Sequence, residues 1–270
     1  MNTHLLMCAA KHFRVDYEIN PYMHLSMQPD VASAVAEHDA IVEAHLAAGR
    51  HVEFLTADPA CPDMVYTANA AVVRGGRAVL ANLPPQRQVE TPHHRAWLAA
   101  HGIDVIESPY PFSGQGDALA CGELLLAGYG HRSDERVHTV LAKHLDYEVV
   151  PLRTVSAHWY DLDLAIAVIN NPHTLAYNPR AMDEPSQRRL RGLGLDLIEV
   201  SAEEADRFAL NLISDGTTVT MTTGAPKLAR ELRNRGLNVI ELNTTELRKG
   251  GGGVRCTALT FDDPLALGQS

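Results

Sequence analysis

Short apolar runs alternate with turn residues along nearly the whole chain. Stretches 63–66 leading into 70–73, then 77–80, 123–127, 164–169 and 217–221, are rich in apolar or β-branched residues and bounded by Gly, Asn or Asp. That pattern predicts β-strands. Segments 91–100, 135–143, 184–192 and 225–235 show helical patterning and follow several of these strands. After each helix a further strand is predicted, at 104–107, 147–150, 196–199 and 238–241. The unit is strand, strand, helix, strand.

The unit repeats. Asn69, Asp117, Asp163, Asn211 and Cys256 each stand immediately before an apolar run, at intervals of 45 to 48 residues. Four units are complete within the chain. The fifth has to be assembled from both ends, pairing a strand at 256–261 with one at 5–8 and a helix at 30–48. Joining the ends in this way closes a ring and removes exposed sheet edges. The expected fold is therefore α/β, five ββαβ units around a pseudo-five-fold axis, in one domain over 1–270. A doubly wound parallel sheet with coincidental spacing is the alternative. In the ring, five equivalent strand starts converge on the axis and bring together a thiol, two carboxylates and two amides.

Composition narrows the chemistry. A 46% hydrophobic content over 270 residues supports a core without disulfides. The net charge of -10 argues against a nucleic-acid binder, which needs a basic face. There is no 18-residue apolar run, so no membrane span is expected, and the first residues do not form a signal peptide. A cytoplasmic protein is the default expectation. The cysteines at 8, 61, 121 and 256 form no Cys-x-x-Cys pair and lack zinc-finger spacing, so neither a structural metal nor a disulfide is expected, and no cofactor is implied. Cys8, Cys61 and Cys121 read as small packed residues. Cys256 follows the run Gly250-Gly251-Gly252-Gly253, flanked by Lys249 and Arg255. Glycines there allow close approach of backbone to a ligand, and the flanking cations favour a thiolate; a plain flexible turn is the competing reading. Nearby carboxylates would raise the pKa of the thiol unless a cation were present. Their natural use is to bind a cationic substrate, and a guanidinium offers a planar donor fork that suits carboxylates and amides.

These residues resemble the guanidine-modifying enzymes of the pentein fold: dimethylarginine dimethylaminohydrolases, arginine deiminases, arginine dihydrolases and amidinotransferases. The resemblance runs from Met7-Cys8 and Phe13-Arg14-Val15-Asp16-Tyr17-Glu18-Ile19-Asn20-Pro21-Tyr22-Met23 through Pro62-Asp63-Met64-Val65-Tyr66-Thr67-Ala68-Asn69-Ala70. It continues in Gly114-Gln115-Gly116-Asp117, Gly128-Tyr129-Gly130-His131-Arg132, Leu162-Asp163 and residues 249–257. It implies that Cys256 attacks a guanidinium carbon to give a covalent amidino-type thioether, with Asp117 and Asp163 among the carboxylates of the site. Arg132 and Arg87 would hold the substrate carboxylate, although Arg87 also reads as a solvated loop residue. Asp63, Gln115 and Asn211 would complete the substrate-binding set. Asn69 stands where deiminases tend to have aspartate and resembles the arginine dihydrolase branch.

Two positions depart from the family pattern. Where the family has Phe-Glu-Gly, this chain has Phe112-Ser113-Gly114; where it has Tyr-His-Leu-Asp, this chain has Tyr160-Asp161-Leu162-Asp163. The guanidinium-binding glutamate is thus replaced by Ser113 and the acid/base histidine by Asp161. The string His144-Leu145-Asp146 lies off the repeat and reads as a helix end. His158 is the better substitute for the missing imidazole, although three residues of extended chain, roughly 10 Å, separate it from Asp161. General acid–base help is worth ~100- to 10,000-fold in rate, and an aspartate supplies it at neutral pH only when burial retunes it. Losing a carboxylate at 113 and gaining one at 161 keeps the charge of the site but moves it, which points to a changed substrate, orientation or reaction. The expected function is cysteine-dependent hydrolysis at the guanidino or amidino group of arginine or a related compound. Amidino transfer and a catalytically silent binding module for a cationic amino acid are the alternatives. The partner is a small cationic molecule rather than nucleic acid or membrane, and the oligomeric state is left open, a homodimer included.

Overall fold

Each repeat folds into its own three-stranded sheet, in a computed structural model that describes residues 3–261. Positions 1–2 and 262–270 of the predicted 1–270 unit lie outside the described residues. In chain order the elements are β1 (His4–Cys8), α1 (Val31–Ala47) and β2 (His51–Leu55). Then come β3 (Ala71–Arg74), β4 (Arg77–Leu80), α2 (Thr91–Ala100) and β5 (Asp104–Glu107), followed by β6 (Ala118–Cys121), β7 (Leu124–Tyr129), α3 (Val137–Leu145) and β8 (Glu148–Arg153). The fourth set is β9 (Ile166–Asn170), β10 (Thr174–Tyr177), α4 (Glu184–Arg191) and β11 (Asp196–Glu199). After a single turn α5 (Ala202–Ala205), the chain forms β12 (Ile213–Ser214), β13 (Thr218–Thr222), α6 (Pro226–Asn234), β14 (Asn238–Leu242) and β15 (Leu259–Phe261).

All five sheets share one topology. The first two strands of each unit pair antiparallel, and the strand after the helix returns parallel to the second. The fifth sheet is built from both chain ends as expected: β15 pairs antiparallel with β1, Leu5 opposite Thr260, and β1 pairs parallel with β2. Five separate small sheets exclude the single doubly wound sheet. Parallel return requires a crossover, and the helices supply it while burying one face: Leu98 of α2, Leu141 and Leu145 of α3, Leu190 of α4 and Leu232 of α6 are fully buried. Local chemistry sets the helix starts. Asp30 accepts from the Ser33 amide at 2.7 Å and Asp183 from the Ser186 amide at 2.8 Å, each satisfying an amide at the first turn of its helix.

One strand expectation fails. Residues 63–66 form turns, with the Tyr66 amide bonded to the Asp63 carbonyl and the Asn69 amide to the Tyr66 carbonyl. The apolar character of Met64, Val65 and Tyr66 reflects burial in the core rather than a sheet. The same holds around the repeat landmarks. Asn69 and Asp163 lie in tight 3-10 turns (Thr67–Ala70 and Leu162–Leu164), and Asp117 directly follows another (Gly114–Gly116). Each polar residue therefore sits in a turn that feeds its strand. Among the described residues no helix is long and apolar enough to cross a membrane.

Candidate active site

Five turns at the starts of β3, β6, β9, β12 and β15 deliver Asn69, Ser113 with Asp117, Asp161 with Asp163, Asn211 and Cys256, all of them buried. Bonds between these turns hold the arrangement. Cys256 Sγ donates to Asp163 Oδ2 at 3.2 Å and accepts from Asn211 Nδ2 at 3.0 Å. Asn211 Oδ1 accepts from the Arg255 and Cys256 amides, so one amide side chain fixes both the turn and its thiol. Asp161 Oδ1 accepts from Ser113 Oγ at 2.9 Å, and its Oδ2 accepts from Asn69 Nδ2 at 3.3 Å with Arg132 Nη1 3.6 Å away. Asp117 accepts from Ser133 Oγ at 2.6 Å and from the Leu162 amide at 2.9 Å, tying the second turn to the third.

Three carboxylates and a thiol in a buried centre are electrostatically crowded. Burial, then the Asp161 charge, pushes the Asp163 and Asp117 carboxyls up from the usual carboxylate range. Burial, then the Asp163 charge, holds the Cys256 thiol well above its ordinary value, although the bond from Asn211 opposes this. A cation placed among these groups would oppose the carboxylates' Coulomb contributions.

The glycine run acts differently from the expectation of a ligand-facing loop. A Cβ on Gly250 would collide with Tyr66 Oη and the Phe13 ring, one on Gly252 with the Tyr66 ring, and one on Gly251, whose φ is +92°, would meet Asn20 Nδ2 at 2.5 Å and Tyr160 Oη at 2.6 Å. The loop is clamped by protein. Tyr160 Oη donates to the Gly251 carbonyl at 2.6 Å, Tyr66 Oη to the Leu247 carbonyl at 2.5 Å and Asn20 Nδ2 to the Gly250 carbonyl at 3.1 Å. From α1, the buried Glu37 accepts from the Glu246 and Leu247 amides. Lys249, expected to favour a thiolate, instead pairs with Glu246 at 2.7 Å. Arg255 points away from the thiol: its Nη2 donates to Gln115 Oε1 at 3.0 Å and its Nη1 to the Ala258 carbonyl at 2.7 Å, while its charge eases the ionisation of Asp163.

Other predicted residues are placed as follows. Arg87 is no solvated loop residue: it is fully buried and bidentate to Glu90 at 2.8 Å on both sides. Its Nη1 donates to Asn69 Oδ1 at 2.8 Å, which turns the Asn69 amide so that Nδ2 faces Asp161 and Ser113. Asp63 is buried 3.9 Å from Arg87, where burial lifts its carboxyl to about 6. Arg132 lies over the Tyr160 ring, 4.2 Å from its centroid, which places it beside Asp161. Gln115 is engaged between blades, accepting from Arg255 and the Thr260 amide and donating to the Thr260 carbonyl. His158 is exposed, and its ring lies edge-on to Tyr22 with centroids 6.3 Å apart, so it is not bonded into the cluster. Cys8, Cys61 and Cys121 are buried and free; burial pushes their thiols up to about 12, 11 and 11.

Sequence reasoning missed Glu90, Ser133, Tyr66 and Tyr160. Glu90 was legible as an i,i+3 partner of Arg87. The others contact the site through partners 16 to 181 positions away and leave no local signal.

Known proteins resemble this chain over most of its length. The family model for eukaryotic N,N dimethylarginine dimethylhydrolase matches residues 10–261. The chain is 37% identical over 248 residues to the N(G),N(G)-dimethylarginine dimethylaminohydrolase of Mycobacterium tuberculosis, covering 92% of this chain and 82% of that protein. It is 34% identical to the bifunctional arginine dihydrolase/ornithine cyclodeaminase ArgZ of Synechocystis sp., covering 97% of this chain and 38% of the relative. The chain thus spans well under half the length of that bifunctional relative. The N-terminal domain of ArgZ, in a crystal structure of an asparagine-to-serine variant covalently bound to a reaction intermediate, superposes with a TM-score of 0.90 at 33% identity, over 95% of this chain and 97% of that one. Sequence and architecture agree over nearly the whole length, and the chain belongs to the dimethylarginine dimethylaminohydrolase family, among the C–N hydrolases of the guanidine-modifying pentein superfamily.

Proposed function

We propose that this protein hydrolyses a C–N bond in the guanidino group of arginine or a close derivative, with Cys256 as the covalent nucleophile. The observation that carries the reading is a buried thiol among three buried carboxylates, bonded directly to Asp163 and crowded until a cation arrives. A planar guanidinium matches that need, since its five donors suit carboxylate and amide acceptors together. Binding it lowers the cost of ionising Cys256 and places an electrophilic carbon beside the sulfur. Relatives support the choice of substrate class: one is a dimethylarginine dimethylaminohydrolase, and the arginine dihydrolase ArgZ has been captured with a covalently bound intermediate.

In this reading Asp161, replacing the histidine of the family pattern and steadied by Ser113, Asn69 and Arg132, is a fixed acceptor that orients the guanidinium. Asp117 holds the 161–163 turn in place. Arg132 is the cation available to a substrate carboxylate, whereas Arg87 serves Asn69 and Glu90. Hydrolysis is favoured over amidino transfer because the similar proteins include a dimethylarginine dimethylaminohydrolase and an arginine dihydrolase. The substitution of histidine by Asp161 favours a second reading, a catalytically silent module that binds a cationic amino acid.

Two measurements separate the readings. Incubation with a chloroacetamidine-type reagent followed by intact mass and peptide mapping should label Cys256 ahead of Cys8, Cys61 and Cys121, and Cys256→Ser should remove the label. Turnover of arginine and of N-methylated arginines, followed by ureido product and released amine, should then be detectable. Labelling no faster at Cys256 than at Cys61 or Cys121 would remove the enzyme reading; binding without turnover would leave the silent module.

A further inference from the structure

With Cys256 as nucleophile, its proton needs an acceptor, and among the described residues no imidazole is bonded to the site. We propose that Asp163 is the proton carrier of the reaction, taking the proton of the Cys256 thiol and delivering it to the leaving nitrogen. The inference rests on the hydrolase reading above and extends it to a residue whose expected part was to bind substrate.

Geometry selects Asp163. Its Oδ2 accepts the Cys256 thiol proton at 3.2 Å, a direct path with no intervening group. Its Oδ1 is buried and has no hydrogen-bond partner among the described residues, so the second oxygen of the same carboxyl is available to a ligand nitrogen. Buried polar atoms are rarely left unpaired, and an orphan beside a nucleophile points to a bond made during binding or reaction. The other acidic groups are engaged. Both oxygens of Asp117 accept from Ser133 and Leu162, and both oxygens of Asp161 face the donors Ser113, Asn69 and Arg132. His158 is exposed and outside the cluster.

The charged and titratable groups acting on Asp163 come from every turn packed against it. Asp161 lies in its own turn, Asp117 in the turn before β6, and Cys256 with Arg255 in the turn before β15, while Tyr160 stands above. Burial and the two carboxylates lift the affinity of Asp163 for a proton, while Arg255 and the thiol bond restrain it. A carboxyl so placed can hold a proton near neutral pH and release it, as a proton carrier must.

The steps balance. The Sγ–H proton passes to Asp163 as the S–C bond forms at the guanidinium carbon. The C–N bond then breaks with that proton going to the departing amine, leaving a cationic S-linked thiouronium. In the second half, water adds to that carbon and loses one proton to Asp163. The C–S bond breaks, the sulfur is reprotonated, and the ureido product leaves with net release of one proton from the second half.

The test uses the full chain and Asp163→Asn, and its first readout is independent of turnover. Iodoacetamide alkylation of Cys256 is followed by peptide mass spectrometry from pH 5 to 10. In the wild type, two coupled groups should give a profile with two steps. In Asp163→Asn the profile should collapse to one step, with its midpoint moved down by about one pH unit or more as the neighbouring carboxyl is lost. The second readout compares arginine with its S-methylisothiourea analogue, whose thiolate leaving group departs without a proton. Asp163→Asn should lower kcat for arginine by ~100-fold or more but for the S-methyl analogue by about tenfold or less. Asp163→Glu should restore part of the arginine rate.

Equal losses on both substrates, or a higher KM with kcat retained, would reduce Asp163 to a binding residue and overturn the proposal. An unchanged alkylation profile would do the same whether or not the protein turns over either compound. If Asp163→Asn does not fold, Asp163→Ser carries the same two readouts, and an alkylation profile identical to wild type in that variant overturns the proposal. Failure of the hydrolase reading looks different: the wild type would turn over neither compound, while its two-step alkylation profile still reported the Cys256–Asp163 pair.

Discussion

Replacing Glu90 by Gln tests whether Arg87 is an internal brace or a substrate-binding cation. The two side chains make a bidentate pair, Nε to Oε1 and Nη2 to Oε2 at 2.8 Å each, with 1–2% exposure. Neutralising one partner leaves a guanidinium buried against neutral acceptors, which typically costs 3–5 kcal/mol. The Asp63 carboxylate, 3.9 Å from Arg87, offsets part of this and places the expected loss near ~3 kcal/mol. For a chain of this size that is roughly 6–12 °C in melting temperature, and a large share of a total stability of about 5–15 kcal/mol. Urea titration and calorimetry at pH 7 measure it. The companion variant, Arg87→Met with Glu90→Leu, swaps the pair for apolar groups of similar size but leaves Asp63 and Asn69 Oδ1 without Arg87, so it should recover only part of the Glu90→Gln loss. It also removes the donor that orients Asn69, so kcat should fall about tenfold or more, by the loss of one charge-assisted hydrogen bond. A loss below ~1 kcal/mol for Glu90→Gln would refute the brace. A double variant with raised KM and normal kcat would instead put Arg87 on the substrate.

Other expectations follow from the same geometry. A Cβ at Gly116 would stand 2.6 Å from Asn69 Nδ2 and 2.7 Å from Asp161 Oδ2, so Gly116→Ala should abolish most turnover while the far-UV circular dichroism stays native; wild-type kcat in that variant would count against the Asn69–Asp161 placement. Asp163 and Asp117 have raised folded pKa values, so above about pH 4 the native state binds more protons than the unfolded state and the stability of the free protein falls as pH rises through that window. A guanidino ligand should reverse this, stabilising more at higher pH and releasing protons on binding; calorimetry in buffers of different ionisation enthalpy that found no release would contradict the crowding. Away from Cys256, burial lowers His38 to about 4 and His45 to about 3, and Arg50 Nη1 donates to His45 Nδ1 at 2.7 Å, a bond that only the neutral imidazole can accept. The unfolded imidazoles take protons near pH 6.5, so these groups should destabilise the fold as pH drops from about 6.5 toward about 4. His45→Gln should flatten that acid limb of the urea midpoint, and an unchanged slope would show that these histidines are not its origin.

Positions 113 and 161 have a geometric logic that neither residue shows alone. Ser113 Oγ donates to Asp161 Oδ1, so the hydroxyl at 113 supplies a donor to the carboxylate at 161. Both oxygens of Asp161 face protein donors, and the residue that meets the thiol is its neighbour two positions on.

The sequence by itself determined the ring. Periodic polar residues before apolar runs located the five strand starts, and the helices expected at 91–100 and 184–192, found at Thr91–Ala100 and Glu184–Arg191, and the return strands at 104–107 and 196–199 follow from patterns a few residues long. It also determined which thiol stands on the axis, because Cys256 alone of the four cysteines falls on the repeat. Tertiary structure decided what each polar residue does. Gln115 clasps Thr260 across 145 positions, Asn211 grips Cys256 across 45, and Asp163 meets the thiol across 93. Arg87 became a brace rather than a solvated residue, and the glycines came to face Tyr66 and Tyr160 rather than a ligand. Local sequence encodes the propensity and face of an element, which depend on neighbours within a turn or two. The partner of a buried polar atom depends on how the blades pack around the axis, and that is settled only when all five are in place.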